Sequence, residues 1–202
     1  MAAYRAGVPR SRVGTAALLR ALAVPLIALA SAGCTGDDDQ ASAPADTSAS
    51  RSAPGSITVT SSAFADGAPI PEEFTCRGAG SSPPLAWTGL PSGAQSVALV
   101  VLDPDAPGGT FVHWVLFAMP PVQQDLATGT PPPGTMQALN SAGGRGWTPP
   151  CPPSGTHHYR FTVYALGDPP DVQEGADPQT AISAIQDAAV AEGTLTGLVS
   201  AG

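Results

Sequence analysis

The chain has 202 residues, 16 carboxylates and 8 arginines but no lysine, with a formal net charge of −8 and a mean hydropathy of +0.09. All sixteen acids follow Cys34, where only Arg51, Arg77, Arg145 and Arg160 oppose them, so that part carries a charge near −12. This balance excludes non-specific nucleic-acid binding, which needs clustered Lys/Arg to displace counterions, and docking on anionic lipid through a basic patch.

At the start of the chain, residues 1–20 hold four arginines and no acid, and residues 21–32 are almost wholly apolar. An apolar run of about a dozen residues after a basic start has the length of an export signal. It is short of the ~20 residues a spanning helix needs. Ser31-Ala32-Gly33-Cys34, followed by the polar run 35–39, resembles a bacterial lipobox, with Ser31 in place of the usual leucine. The resemblance implies that residues 1–33 are a lipoprotein signal peptide and Cys34 the lipidated first residue of the mature chain. The protein is then anchored on the extracytoplasmic face of the cell membrane. The alternative is plain secretion with Cys34 a bystander. Residues 34–55 are dominated by Ala, Ser, Asp, Thr and Pro and lack aromatic residues. Such a segment buries too little apolar surface to offset its ordering entropy, and is expected to be a disordered tether. Residues 56–202 then form one domain, long enough for its own core.

Within that domain, residues 57–63 begin with alternating apolar and polar side chains, the pattern of a modest strand. Residues 96–102 form a continuous valine-rich apolar run, as in a strand covered on both faces. Residues 112–119 and 159–166, with aromatic and β-branched side chains, predict two more strands. Residues 178–191 predict the one helix: Asp177 caps it, Pro178 suits its first turn, and Ile182, Ile185 and Ala189 share a face. Residues 194–200 predict a closing strand. The fold class is therefore mainly β and antiparallel, with one helix towards the C-terminus.

Two proline-stiffened loops carry the ionisable groups. The first runs Asp103-Pro104-Asp105-Ala106-Pro107-Gly108-Gly109-Thr110-Phe111-Val112-His113-Trp114, and the second Pro150-Cys151-Pro152-Pro153-Ser154-Gly155-Thr156-His157-His158-Tyr159. Proline fixes φ and disfavours helix in the preceding residue, so each loop presents its side chains from a stiff backbone. With Ser82-Pro83-Pro84-Leu85-Ala86-Trp87, these runs resemble the motifs of the phosphatidylethanolamine-binding protein family, in its bacterial, Raf-kinase-inhibitor-like branch. The resemblance covers about residues 57–200 and implies a two-sheet β fold with a ligand pocket at one end. It also implies that Asp103, Asp105, Pro107, His113, His157 and Tyr159 bind the ligand. His158 stands where that family has arginine, Ala118 where it has asparagine, and Ser141-Ala142-Gly143 replaces an acidic and aromatic rim.

In extended backbone, Asp103 and Asp105 face one way, whereas the neighbours His157 and His158 face opposite ways, so only one of these histidines shares a cavity with Asp103. The expectation is that Asp103, Asp105, His113 and His157 converge while His158 stays outside. The alternatives are aspartates that only make Asx turns and a histidine that only packs in the core. An aspartate beside a histidine raises the imidazole pKa and makes it a better donor to an anion. The set suits a small anionic or phosphorylated ligand, such as a phospholipid head group. In an exported chain, Cys76 and Cys151 are expected to pair in a disulfide.

No Gly-x-Ser-x-Gly elbow, Walker motif or HExxH occurs in the chain. The leading expectation is therefore a binding protein with no catalytic residue, metal or cofactor. Two other functions compete with it. One is inhibition of a secreted protease or other partner protein through surface loops. The other is a hydrolase that uses the Asp/His pocket or a Cys151–His157 pair.

Overall fold

The computed structural model of the chain describes residues 55–202. The expected signal peptide, Cys34 and all but the last residue of the tether expected over residues 34–55 lie outside the described residues; Gly55 itself begins β1. In chain order the elements are β1 (Gly55–Ser56), β2 (Thr58–Thr60), β3 (Ala68–Pro69), a 3-10 turn at Glu72–Phe74, β4 (Leu85–Thr88), β5 (Ser96–Asp103) and β6 (Phe111–Met119). These are followed by β7 (Asp125–Leu126), β8 (Met136–Gln137), β9 (Thr156–Leu166), α1 (Pro178–Ala188) and β10 (Ala189–Ser200).

A seven-stranded sheet runs β1-β10-β9-β5-β6-β8, with β3 also on β10, and a small sheet runs β2-β4-β7. The long strands β10, β9, β5 and β6 pair antiparallel. Among the described residues the fold is thus mainly β with one helix, as the residue pattern predicts, and has two sheets, as the family resemblance implies. Central strand β5 is buried almost throughout because both of its faces are covered. Val97, Leu99 and Val101 join Trp87, Tyr159 and Phe161 in the larger core, while Ala98 and Val100 pack with Ile182 and Ile185 of α1. A Cβ at Gly193 would collide with the Ile57 carbonyl, so the close approach of β10 to the entering chain requires glycine there.

The helix is three residues shorter than the 178–191 predicted. Asp177 caps it by accepting from the Gln179 and Thr180 N–H groups. Ala189 then turns extended, because the chain from there pairs along the whole length of β9. The expected strand 194–200 is accordingly the second half of β10. Residue pattern also misses the short strands β3, β4, β7 and β8, two to four residues each.

Candidate functional site

At one end of the large sheet, β5, β6 and β9 open on a cavity of about 200 Å³. Alternation along β9 buries His157, Tyr159 and Phe161 on one face and turns His158 and Arg160 outward. Asp103, last residue of β5, continues the phase of Val97, Leu99 and Val101 towards the same face. His113 arrives there by a different device. Val101 pairs with Trp114 but Leu102 pairs with Val112, so His113 is the extra residue of a β-bulge. A bulge re-aims side chains next to sites, and here His113 and its neighbour Trp114 both turn inward.

Asp103, His113, His157 and Tyr159 are all buried at the cavity, at 3%, 5%, 5% and 1% exposure. The Asp103 carboxylate is fully engaged. Its Oδ1 accepts the Asp105 N–H at 2.9 Å and its Oδ2 accepts His157 Nδ1–H at 2.7 Å. Burial first, and then the Asp103 charge, push the Tyr159 phenol well above its ordinary value, so it stays protonated.

Thr148 sets the state of the other imidazole. Its carbonyl accepts from His113 Nδ1 at 2.7 Å, and its N–H donates to the His113 carbonyl at 3.1 Å. Burial pushes the His113 pKa below the ordinary 6.5, outweighing the Thr148 hydrogen bond and the attraction of Asp103, which act upward. For His113 this reverses the expectation that a nearby aspartate makes the imidazole cationic. Phe111 and Tyr159 flank its ring at centroid distances of 4.7 and 5.1 Å. In both His113 and His157 the Nδ1 is committed, and the Nε2 makes no hydrogen bond among the described residues.

Asp105 departs from the expected set. It is exposed, outside the cavity lining, and its Oδ2 accepts both the N–H and the ring Nδ1–H of His158 at 2.8 Å. These bonds hold the Asp105 carboxyl below the usual carboxylate range, the backbone donor contributing most. Positions two apart no longer share a face once the chain leaves the strand and turns at Pro104, so two-residue spacing stops predicting direction there. Pro107 does line the cavity, together with Ala106. His158 points away from it, paired with Asp105.

The opposite wall is built from Thr148, Pro149, Cys151, Pro152 and Pro153. Four of the five residues 149–153 are prolines, so Cys151 carries the single N–H of that stretch. The Cys76–Cys151 disulfide, Cα–Cα 5.4 Å, and the Cys76 N–H bond to the Pro150 carbonyl fix it in place. Pattern reading missed Thr148 and Phe111 as site residues, and also Asn140, which organises the approach to the wall. Asn140 Oδ1 accepts from Ala142 and Gly144, and its Nδ2 donates to the Gly146 carbonyl and to Thr148 Oγ1. The turn-forming run Asn140-Ser141-Ala142-Gly143-Gly144 was the available signal.

Among the described residues, no group of three or more His, Cys, Asp or Glu side chains is arranged to hold a metal ion. No helix among them is long and apolar enough to cross a membrane.

Comparison with known proteins bears on the fold and the family. The family model described as phosphatidylethanolamine-binding protein matches residues 60–200. LppC of Mycobacterium tuberculosis, a protein named as a lipoprotein, is 46% identical over 143 residues, spanning 70% of this chain and 71% of LppC. The crystal structure of a phosphatidylethanolamine-binding protein homolog from Chlamydia trachomatis aligns with a TM-score of 0.68 at 36% identity, covering 73% of this chain and 99% of that one. Escherichia coli YbcL, described as a member of the mammalian family, aligns with a TM-score of 0.69 at 28% identity, covering 72% of this chain and 99% of YbcL. The chain belongs to the phosphatidylethanolamine-binding protein family.

Proposed function

We propose that this protein is a lipid-anchored, extracytoplasmic binding protein whose cavity holds a small anion, a phosphate or phosphorylated group, without chemical turnover. The observation that carries the reading is the pair of free imidazole nitrogens, His113 Nε2 and His157 Nε2, on residues lining one small cavity. The one carboxylate in the lining, Asp103, has both oxygens engaged within the protein, which limits its repulsion of an entering anion. The expectation that Asp103 faces an amine or hydroxyl of the ligand is dropped for the same reason.

Binding without catalysis is favoured because Cys151 is bridged to Cys76, leaving no thiolate for His157 to activate, and no serine lines the cavity. The anchor rests on the basic and apolar leader ending at Cys34 and on the likeness to LppC. Native mass spectrometry of the protein released from its own membrane should find one phosphate-bearing small molecule per chain. A ligand-free protein that gains no mass with added phosphate would overturn the reading. For the anchor, Cys34→Ala should leave uncleaved precursor or free the protein from the membrane fraction. Unchanged processing and retention would remove that part.

A further inference from the structure

The Cys76–Cys151 disulfide lies at the surface, with both of its cysteines exposed. The run Cys76-Arg77-Gly78-Ala79 is exposed throughout, whereas Cys151 sits between buried Pro150 and Pro152. Neither cysteine belongs to the two core clusters, so the packing of the sheets does not run through the bridge. What the bridge does hold has few other ties. Thr148 is bonded to His113 through both its carbonyl and its N–H, and the Gly155 carbonyl accepts from the Ala201 N–H. Between these fixed points, the prolines at 149, 150, 152 and 153 have no N–H to donate. Among the described residues, 149–153 make one hydrogen bond, from the Cys76 N–H to the Pro150 carbonyl at 3.0 Å. Exposed disulfides are open to exchange in the folded state, unlike those sealed within a core.

We propose that Cys76–Cys151 is a thiol–disulfide exchange site of the folded protein, reduced by a dithiol protein, and that reduction loosens the 149–153 segment while the sheets stay folded. The inference goes beyond the binding reading and does not depend on what the cavity holds. The open approach is behind Cys76, where four consecutive residues are exposed. A thiolate of the reductant bonds to Cys76 Sγ, the S–S bond breaks, and Cys151 leaves as a thiolate that takes a proton from water. The second thiol of the reductant then closes its own disulfide and releases Cys76 as a thiol. Two electrons and two protons pass to this chain, and the dithiol is oxidised to a disulfide.

The test treats the full-length protein in detergent, without denaturant, with reduced thioredoxin or with dithiothreitol. Iodoacetamide and intact mass then count the thiols. Either reductant should add two alkylated thiols over the untreated protein while the far-UV circular dichroism stays unchanged. Amide exchange at Cys76 should quicken by about tenfold or more, the scale of one lost hydrogen bond. With glutathione in place of the dithiol, the mixed disulfide should be found on Cys76. Thiols that appear only in urea would overturn the exchange site. Reduction by dithiothreitol and not by thioredoxin would overturn the protein dithiol as its reductant. An adduct on Cys151 would overturn the assigned side of attack. Unchanged Cys76 amide exchange after reduction, or loss of the circular dichroism signal, would overturn the local loosening.

Discussion

Two aspartate–histidine pairs lie one strand residue apart and differ mainly in where they face. Asp103–His157 closes at 2.7 Å with side chains 4% and 7% exposed, and Asp105–His158 closes at 2.8 Å with side chains 41% and 55% exposed. The bonded atoms are the same in both, carboxylate Oδ2 and imidazole Nδ1. Burial separates them. Inside, the pair is removed from water, its members depend on each other, and the free His157 Nε2 belongs to a cavity. Outside, water screens the same contact and the pair only clasps a loop to β9. The lesson is that one Asp–His contact is a buried, cavity-lining pair on one face of a strand and a solvent-screened tether on the other.

Removing the inner carboxylate breaks this comparison most severely. Asp103→Ala strands the His157 and Asp105 donors and should cost about 3–5 kcal/mol, as when one partner of a buried pair is lost. Urea unfolding of the full chain measures it. A loss under 1 kcal/mol would mean the inner pair behaves like the outer one.

The disulfide comes next, because it holds the wall that separates the inner pair from solvent. Replacing Cys76 and Cys151 with serine should cost about 2–4 kcal/mol on the chain-entropy scale. It should also raise the reactivity of His157 towards an imidazole-modifying reagent to that of His158. Unchanged His157 reactivity would show that the wall stands without the bridge.

Acid gives a smaller effect with a definite sign. The folded-state pKa of His113 is depressed, so the unfolded chain binds the proton more readily than the folded one. Stability from this source is therefore complete well above pH 6.5 and declines as pH falls below it, until His113 is protonated in the folded state as well. The urea midpoint should drop between pH 7.5 and pH 5, and His113→Gln should flatten that slope. An equal slope in the variant would assign the decline to other groups.

At the outer pair the expected change is smallest. Asp105→Asn or His158→Ala should shift the unfolding midpoint near neutral pH only slightly at physiological salt. The depressed Asp105 pKa supplies only a small stability at this exposure, present at neutral pH and lost in acid as pH falls through it. A clear destabilisation by either variant at pH 7 would show that the loop clasp matters more than its exposure implies.

Much of this arrangement is legible in the residues. The valine run of β5, the alternation in β9 and the Asp177–Pro178 helix start follow from local chemistry, and the same alternation separates His157 from His158. Three features escape such reading for physical reasons. The inward turn of His113 depends on a bulge, which is a property of two strands in register and not of one. The outward turn of Asp105 depends on loop closure at Pro104 and a bond to a residue 53 positions away. The neutrality of His113 depends on burial and on a carbonyl 35 positions away, which outweigh the nearby carboxylate.

Three histidines occur in the whole chain, His113, His157 and His158, so each imidazole can be followed separately by NMR with isotope-labelled histidine. Titrating inorganic phosphate into the full-length protein near pH 6.5 tests most directly whether the inner face is the ligand site. Saturable shifts at His113 and His157, with His158 unmoved, are the predicted result. Shifts confined to His158, or none at either inner histidine, would contradict it.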